Sequence, residues 1–181
     1  KYNKGYCLNF FLKIFKLLPP EIAHSLSLNS LNILHKLNLL KFFSTKPKTI
    51  NEFYFQGIVF KNKLGTAAGL DKNGDFIDAL GALGFGFLEV GTVTPLPQYG
   101  NTKPRVFRNF KEDSIINRLG FNNKGEDDLV KKLTSKQFYE VVGVHIGPNK
   151  SSQGDQRIND YLICLEKVHA YADYITVNIS S

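Results

Sequence analysis

The sequence contains no methionine, even at position 1, and only two cysteines in 181 residues. The first absence predicts a piece of a longer chain. Cys7 and Cys164 are far apart and belong to no metal-binding spacing, which points to a reducing compartment. His24, His35, His145 and His169 show no ligand spacing either, so no metal site is expected. No apolar run is long enough to cross a bilayer. The longest, Leu8 to Leu18, is broken by Lys13 and Lys16, and no small-residue cleavage site follows it.

Acidic residues are scarce at one end only. Residues 1–63 hold ten lysines against Glu21 and Glu52, a balance of +8, whereas the remaining 118 residues sum to −1. The overall +7 is therefore a property of an N-terminal arm, and a nucleic-acid partner is not expected for the body. The composition, 43% hydrophobic and 22% charged, is that of a globular protein with a sizeable core.

The arm spans residues 1–45. Pro19-Pro20-Glu21 stops one apolar helix and starts a second, which carries Ile22, Leu26, Ile33, Leu37 and Leu40 at roughly helical spacing. Lysine-rich apolar helices suit an anionic membrane surface. A helical pair packed on the body with solvated lysines reads equally well, and one helix can do both.

The body, residues 46–181, is organised around Leu64-Gly65-Thr66-Ala67-Ala68-Gly69-Leu70-Asp71-Lys72-Asn73-Gly74. Its small residues predict a buried strand on whose backbone a flat ligand could lie, meeting Lys72 at its edge. Close packing of a neighbour would call for the same residues. Around it, the pattern predicts a hairpin over 53–60, a helix from Phe76 stopping at Gly84, and a strand from Phe87 to Thr92. An antiparallel excursion over 104–108 follows, then a helix from Gly125 to Leu133, a strand over 141–147, a helix from Asp160 to Tyr171 and a strand from Tyr174 onward. Uniformly apolar strands alternating with helices predict an α/β fold with parallel strands, in a barrel or a doubly wound sheet. The strands end in Lys72, Thr92, His145 and Asn178. Polar chemistry at one end of every strand favours a (β/α)8 TIM-type barrel, about half of it in these four strands.

Three kinds of motif match carry nothing. Gly69 and Gly74 have phosphate-loop spacing, but Asp75-Phe76 stands where Lys-Ser/Thr is needed. Gly81, Gly84 and Gly86 do not fit a dinucleotide fingerprint. Asn149-Lys150-Ser151 and Asn178-Ile179-Ser180 match the glycosylation triplet, with no sign of secretion.

Taken in order, Ala67 to Gly74, Glu89-Val90-Gly91-Thr92-Val93-Thr94-Pro95, Lys103-Pro104-Arg105-Val106-Phe107-Arg108, Ile116 to Asn123 and Asn178-Ile179-Ser180-Ser181 resemble class 2 dihydroorotate dehydrogenases from about Pro20 to the end. The resemblance implies a barrel that binds flavin mononucleotide (FMN) and oxidises (S)-dihydroorotate to orotate in pyrimidine synthesis. Electrons would pass to a membrane quinone. It implies Ser181 as the base for the C5 proton, although no partner that would activate a serine is legible. Ala68, Gly69, Leu70, Asp71, Lys72, Thr92, His145 and Asn178 are implied as flavin contacts. Lys72, Asn117, Arg118, Leu119, Gly120, Phe121 and Asn178 are implied as substrate contacts. Amides can both donate to and accept from the ring of orotate, and Lys72 supplies positive charge. His24 and Arg108 match positions near a quinone tunnel, though a lone histidine on an apolar helix is commonly structural. The implied location is peripheral, on the cytoplasmic side of a bacterial inner membrane or on the mitochondrial inner membrane.

Two positions depart from the pattern. His145 stands where asparagine usually contacts the flavin, and Pro148 where lysine is common, which puts flavin affinity and redox tuning in question. A barrel of this kind commonly grips a cofactor phosphate after its seventh and eighth strands. With four strands the segment alone is expected to bind flavin weakly and to be inactive. Three other readings are a class 1 soluble enzyme, a flavin-dependent tRNA-reducing barrel, and a non-catalytic membrane-surface module. The first would have cysteine at position 181 and no arm, and the second would need a basic body.

Overall fold

The computed structural model describes residues 15–42 and 51–180. Most of the first arm helix expected over Leu8 to Leu18, the expected base Ser181 and Cys7 lie outside them. The arm enters as helix α1 (Pro20–Lys36), with Pro20 in its first turn, followed by a 3-10 turn at Leu40–Phe42. Strands β1 (Phe53–Phe55) and β2 (Ile58–Phe60) form the expected antiparallel hairpin. Its Phe53 and Phe60 rings stack, and Phe60 meets Phe87 edge-on.

Three parallel strands form the sheet, in the order β3 (Phe87–Val93), β6 (Val141–Ile146), β7 (Tyr174–Val177). The small-residue stretch lies along the outer side of β3, bridging in parallel at Gly65 to Phe87 and at Asp71 to Val90. It thus follows the course of a fourth strand without regular pairing. Helix α2 (Ile77–Gly81) connects it to β3, α3 (Glu126–Ser135) connects β3 to β6, and α4 (Asp155–Val168) connects β6 to β7. Strands β4 (Val106–Asn109) and β5 (Ser114–Asn117) form an antiparallel excursion inside the β3–α3 connection. The excursion was legible, but its returning strand was not, because Ser114–Asn117 is exposed at every position and so has no hydrophobic alternation to read. Helix α4 starts five residues before the expected Asp160, since Gly154 opens it at a positive φ.

Strand periodicity divides the sheet cleanly. Leu88, Val90, Val142, Val144 and Ile146 pack against Leu129 and Leu133 of α3 and Cys164 and Val168 of α4. The opposite parity places Glu89, Gly143, His145 and Tyr174 on the other face, in register through Glu89–Gly143 and Gly143–Tyr174. Helices on one face and alternate side chains on the other make the wall of a (β/α) barrel.

Helix α1 packs through Ala23 and Leu28, and of the periodic stripe Leu40 is buried in the turn that follows while Ile22, Leu26, Ile33 and Leu37 are exposed. Within the helix itself the stripe is not the packing face. No described helix is long and apolar enough to cross a membrane.

Candidate active site

The loops after the strands meet at one end, tied by backbone bonds at a common level. Gly69 N–H donates to Gly91 O (2.9 Å), Gly91 N–H to Asp71 O (3.2 Å), and Asn178 N–H to Ile146 O (2.9 Å). A Cβ on Gly69 (φ +96°) would meet nothing within 4 Å. The backbone there is open to a flat ligand, as the small-residue stretch requires.

A cleft of about 1180 Å³ separates this loop from the arm and the excursion. It is lined by Ala68, Gly69, Leu70, Asp71 and Lys72, by Asn117 and Leu119, and by His24 and Arg108. Thr92, His145, Asn178, Arg118, Gly120 and Phe121 are not among its lining residues. Asn178 and Thr92 meet each other on the neighbouring strand ends, Asn178 Nδ2 donating to Thr92 Oγ1 at 2.9 Å. His145 lies on the inner face of β6, with Nε2 2.8 Å from Glu89 Oε2. Arg118 turns outward, donating to Pro104 O and stacking over Phe107, and is not placed as a substrate contact. Gly120 (φ +68°) and Phe121 act through backbone, since both carbonyls accept from Gln98 Nε2 at 3.1 Å.

Electrostatics single out two residues of the central loop. Burial pushes the Asp71 carboxyl up to about 6, against the pull of the Phe76, Asp75 and Gly74 N–H groups. Its oxygens lie 2.7 Å from Phe76 N and 3.0 Å from Asp75 N, so Asp71 ties the turn that leads into α2. Burial, aided by Arg105, pushes the Lys72 amine down to about 8. Its Nζ donates to Asn122 Oδ1 at 2.5 Å, which holds the cation at the cleft.

The two residues expected near a quinone have definite jobs. His24 Nε2 is 2.7 Å from Leu70 O, so it must carry the proton there, and it ties α1 to the central loop. The Arg108 guanidinium donates to Leu18 O (2.5 Å), Lys16 O (3.2 Å) and Phe15 O (3.2 Å), gathering the carbonyls of the turn that precedes Pro19.

Beneath the site is a polar network that the sequence did not reveal. Asn149 Nδ2 donates to Thr94 Oγ1, Leu96 O and Gln98 Oε1 at 2.8–3.1 Å, while its Oδ1 accepts from Leu96 N–H at 3.0 Å. Asn123 also donates to Thr94 Oγ1 (2.9 Å). Asn149 is 6% exposed, so its glycosylation triplet is inaccessible in the fold. The dense run of Asn, Gln and Thr was the only available signal. Asn149→Ala would strand several buried partners and is expected to cost about 2 kcal/mol, read as a lower denaturant midpoint.

With this geometry in place, comparison gives the class. Residues 52–181 match the model of the dihydroorotate dehydrogenase family, and the chain belongs to that family. Its relatives narrow the match: it is 51% identical over 169 residues to a dihydroorotate dehydrogenase (quinone) of Buchnera aphidicola subsp. Schizaphis graminum, covering 93% of this chain and 50% of that protein. A namesake from Saccharophagus degradans is 52% identical over 170 residues, with 93% and 49% covered. The ligand-free DHODH from Eimeria tenella superposes with a TM-score of 0.75 at 34% identity, covering 90% of this chain and 46% of that one. In the complex of that DHODH with ferulenol, the TM-score is 0.73 and the coverage 90% and 44%. The fold is thus a (β/α)8-type barrel, and the chain spans about half the length of the curated relatives it matches.

Proposed function

We propose that the protein carrying this chain oxidises (S)-dihydroorotate to orotate in pyrimidine synthesis, with FMN as cofactor and a membrane quinone as acceptor. The observation that supports it most is the cleft. It brings the open Gly69 backbone, the Lys72 cation, the Asn117 amide and the arm residues His24 and Arg108 to one space.

The residues fit a flavin ring. An uncluttered backbone can bear its face, and Lys72 can meet its polar edge. When bound, the flavin supplies a two-electron acceptor for the hydride from C6. Ser181 takes the proton from C5. Lys72, protonated at neutral pH, balances the substrate carboxylate, and its bond to Asn122 orients it. Asn117, at the end of β5, presents donor and acceptor to the pyrimidine ring. The inner-face side chains close the site from below.

The exposed stripe Ile22, Leu26, Ile33 and Leu37 supports peripheral attachment to a membrane, with lysines around it for anionic headgroups. A bacterial inner membrane, on its cytoplasmic side, is the proposed location. The test uses the whole protein and the same protein lacking residues 1–45. The whole protein should form orotate from dihydroorotate with a quinone as acceptor, followed by absorbance. The shortened one should keep flavin reduction but lose quinone turnover and sedimentation with anionic vesicles. No orotate from the whole protein would overturn the enzymatic reading, and unimpaired quinone turnover without the arm would give the arm another role.

A further inference from the structure

Lys72 stands at the cleft without an ion-pair partner. Its Nζ makes one hydrogen bond, to the neutral amide oxygen of Asn122, and no carboxylate among the described residues pairs with it. The charges around it are committed elsewhere. Asp71 faces the Phe76 and Asp75 N–H groups, and Asp75 is paired with Lys124 and Lys132. His24 is bound to Leu70 O, and Arg108 to the turn before Pro19. Two charges act on Lys72 from other elements: Arg105 of the excursion repels it, and Glu21 of helix α1 attracts it. Glu21 is held in place by Arg105, whose Nε and Nη2 both donate to Oε1, at 3.0 and 2.9 Å. Its second oxygen accepts from no described residue, and Glu21 and Lys72 line the same cleft. A fully solvated ammonium would need no such neighbour. Lys72 does, because burial has already pushed its amine down to about 8, close to physiological pH.

We propose that Glu21 is a positioning residue, through which the arm keeps Lys72 charged and so preserves the cleft's hold on a carboxylate-bearing ligand. That the ligand is dihydroorotate or orotate rests on the proposed function. Arg105 and Glu21 act on Lys72 in opposite senses. Without the carboxylate, the repulsion from Arg105 adds to burial, and more of the amine is neutral above neutral pH. A neutral amine still donates a hydrogen bond, but it forfeits the charge that makes a bond to carboxylate strong. The first turn of the arm would thus serve the substrate end of the cleft, in addition to any part in quinone access. Removing the whole arm would also open the cleft to water, which favours the charged amine, so flavin reduction by the shortened protein does not report on Glu21.

The test compares the whole protein with Glu21→Gln and Arg105→Gln. Glu21→Gln keeps an acceptor for Arg105 and removes only the charge, whereas Arg105→Gln removes the repulsion. Carbon NMR of lysines labelled at Cε, with the signal assigned through Lys72→Met, reads the midpoint of Lys72 directly. It should fall by about half a unit or more in Glu21→Gln and rise in Arg105→Gln. Loosened packing would move both variants the same way, so opposite directions identify a charge effect. Orotate dissociation constants from calorimetry should match between Glu21→Gln and the unsubstituted protein at pH 6.5, where Lys72 is charged in both. At pH 9 the variant should bind orotate about threefold more weakly. An unmoved Lys72 midpoint in Glu21→Gln, or midpoints that move together in the two variants, would overturn the proposal. So would a loss of orotate affinity that is equal at every pH. Midpoints that move as expected, with no orotate binding at any pH, would overturn the dihydroorotate reading and leave the hold of Glu21 on Lys72 standing.

Discussion

Ser181→Ala in the whole protein is expected to leave FMN bound yet to slow flavin reduction by dihydroorotate on the order of a hundredfold or more, the usual cost of losing a general base. The reason lies in the turn that leads to it. Asn178 Oδ1 accepts from Ser180 N–H (3.0 Å) and Ser180 Oγ (2.7 Å), its Nδ2 is bound to Thr92, and its carbonyl accepts from Tyr161 Oη at 2.7 Å. Such a locked turn is what a base needs in order to arrive at one place, because small displacements are costly in proton transfer. It also qualifies the expectation that Asn178 clamps substrate, since its amide is already engaged. Stopped-flow absorbance of the flavin reads the result. Reduction at an unchanged rate would remove Ser181 from the mechanism.

The second large effect concerns stability. The Arg105 side chain is 7% exposed, and its Nε and Nη2 both reach Glu21 Oε1 on α1, at 3.0 and 2.9 Å. Nη1 donates to Tyr99 O (2.5 Å) and Asn101 O (3.1 Å). Arg105→Ala would leave these acceptors and a half-buried carboxylate without their donor. A loss of about 3 kcal/mol is expected, visible as a lower midpoint in urea. Arg105→Lys should recover little of it, because an ammonium restores the charge but cannot span three acceptors as the planar fork does. A loss below about 1 kcal/mol would show that the arm does not depend on this pair.

Most of the barrel wall was legible because its strands are largely apolar and helix α3 begins directly after Gly125. Phe87–Val93 and Val141–Ile146 lie where the pattern put them. The central stretch was legible as a run along the sheet, but its irregular pairing was not, since small residues fit both an open backbone and a close neighbour. Ordered motifs name residues, and do not say which side chains share a space. Hence the sequence could name His24 and Arg108, but not their bonds to Leu70 O and to the carbonyls before Pro19. Glu89 and Tyr174 are 85 residues apart. Nothing local marks them as partners until the register of three strands is known.

The arm's charged attachments go to the excursion rather than to the sheet: Glu21 to Arg105, and the carbonyls of Phe15, Lys16 and Leu18 to Arg108. Two segments some 85 to 90 positions apart in sequence therefore behave as one exchangeable cassette. Grafting the arm alone onto another barrel would deliver a helix with an orphaned Glu21. Grafting it together with residues 98–123 would carry its own socket, including the Gln98 and Asn123 contacts that seat the excursion. Barrels that have never had such an arm should accordingly have no use for arginine at the two positions corresponding to 105 and 108.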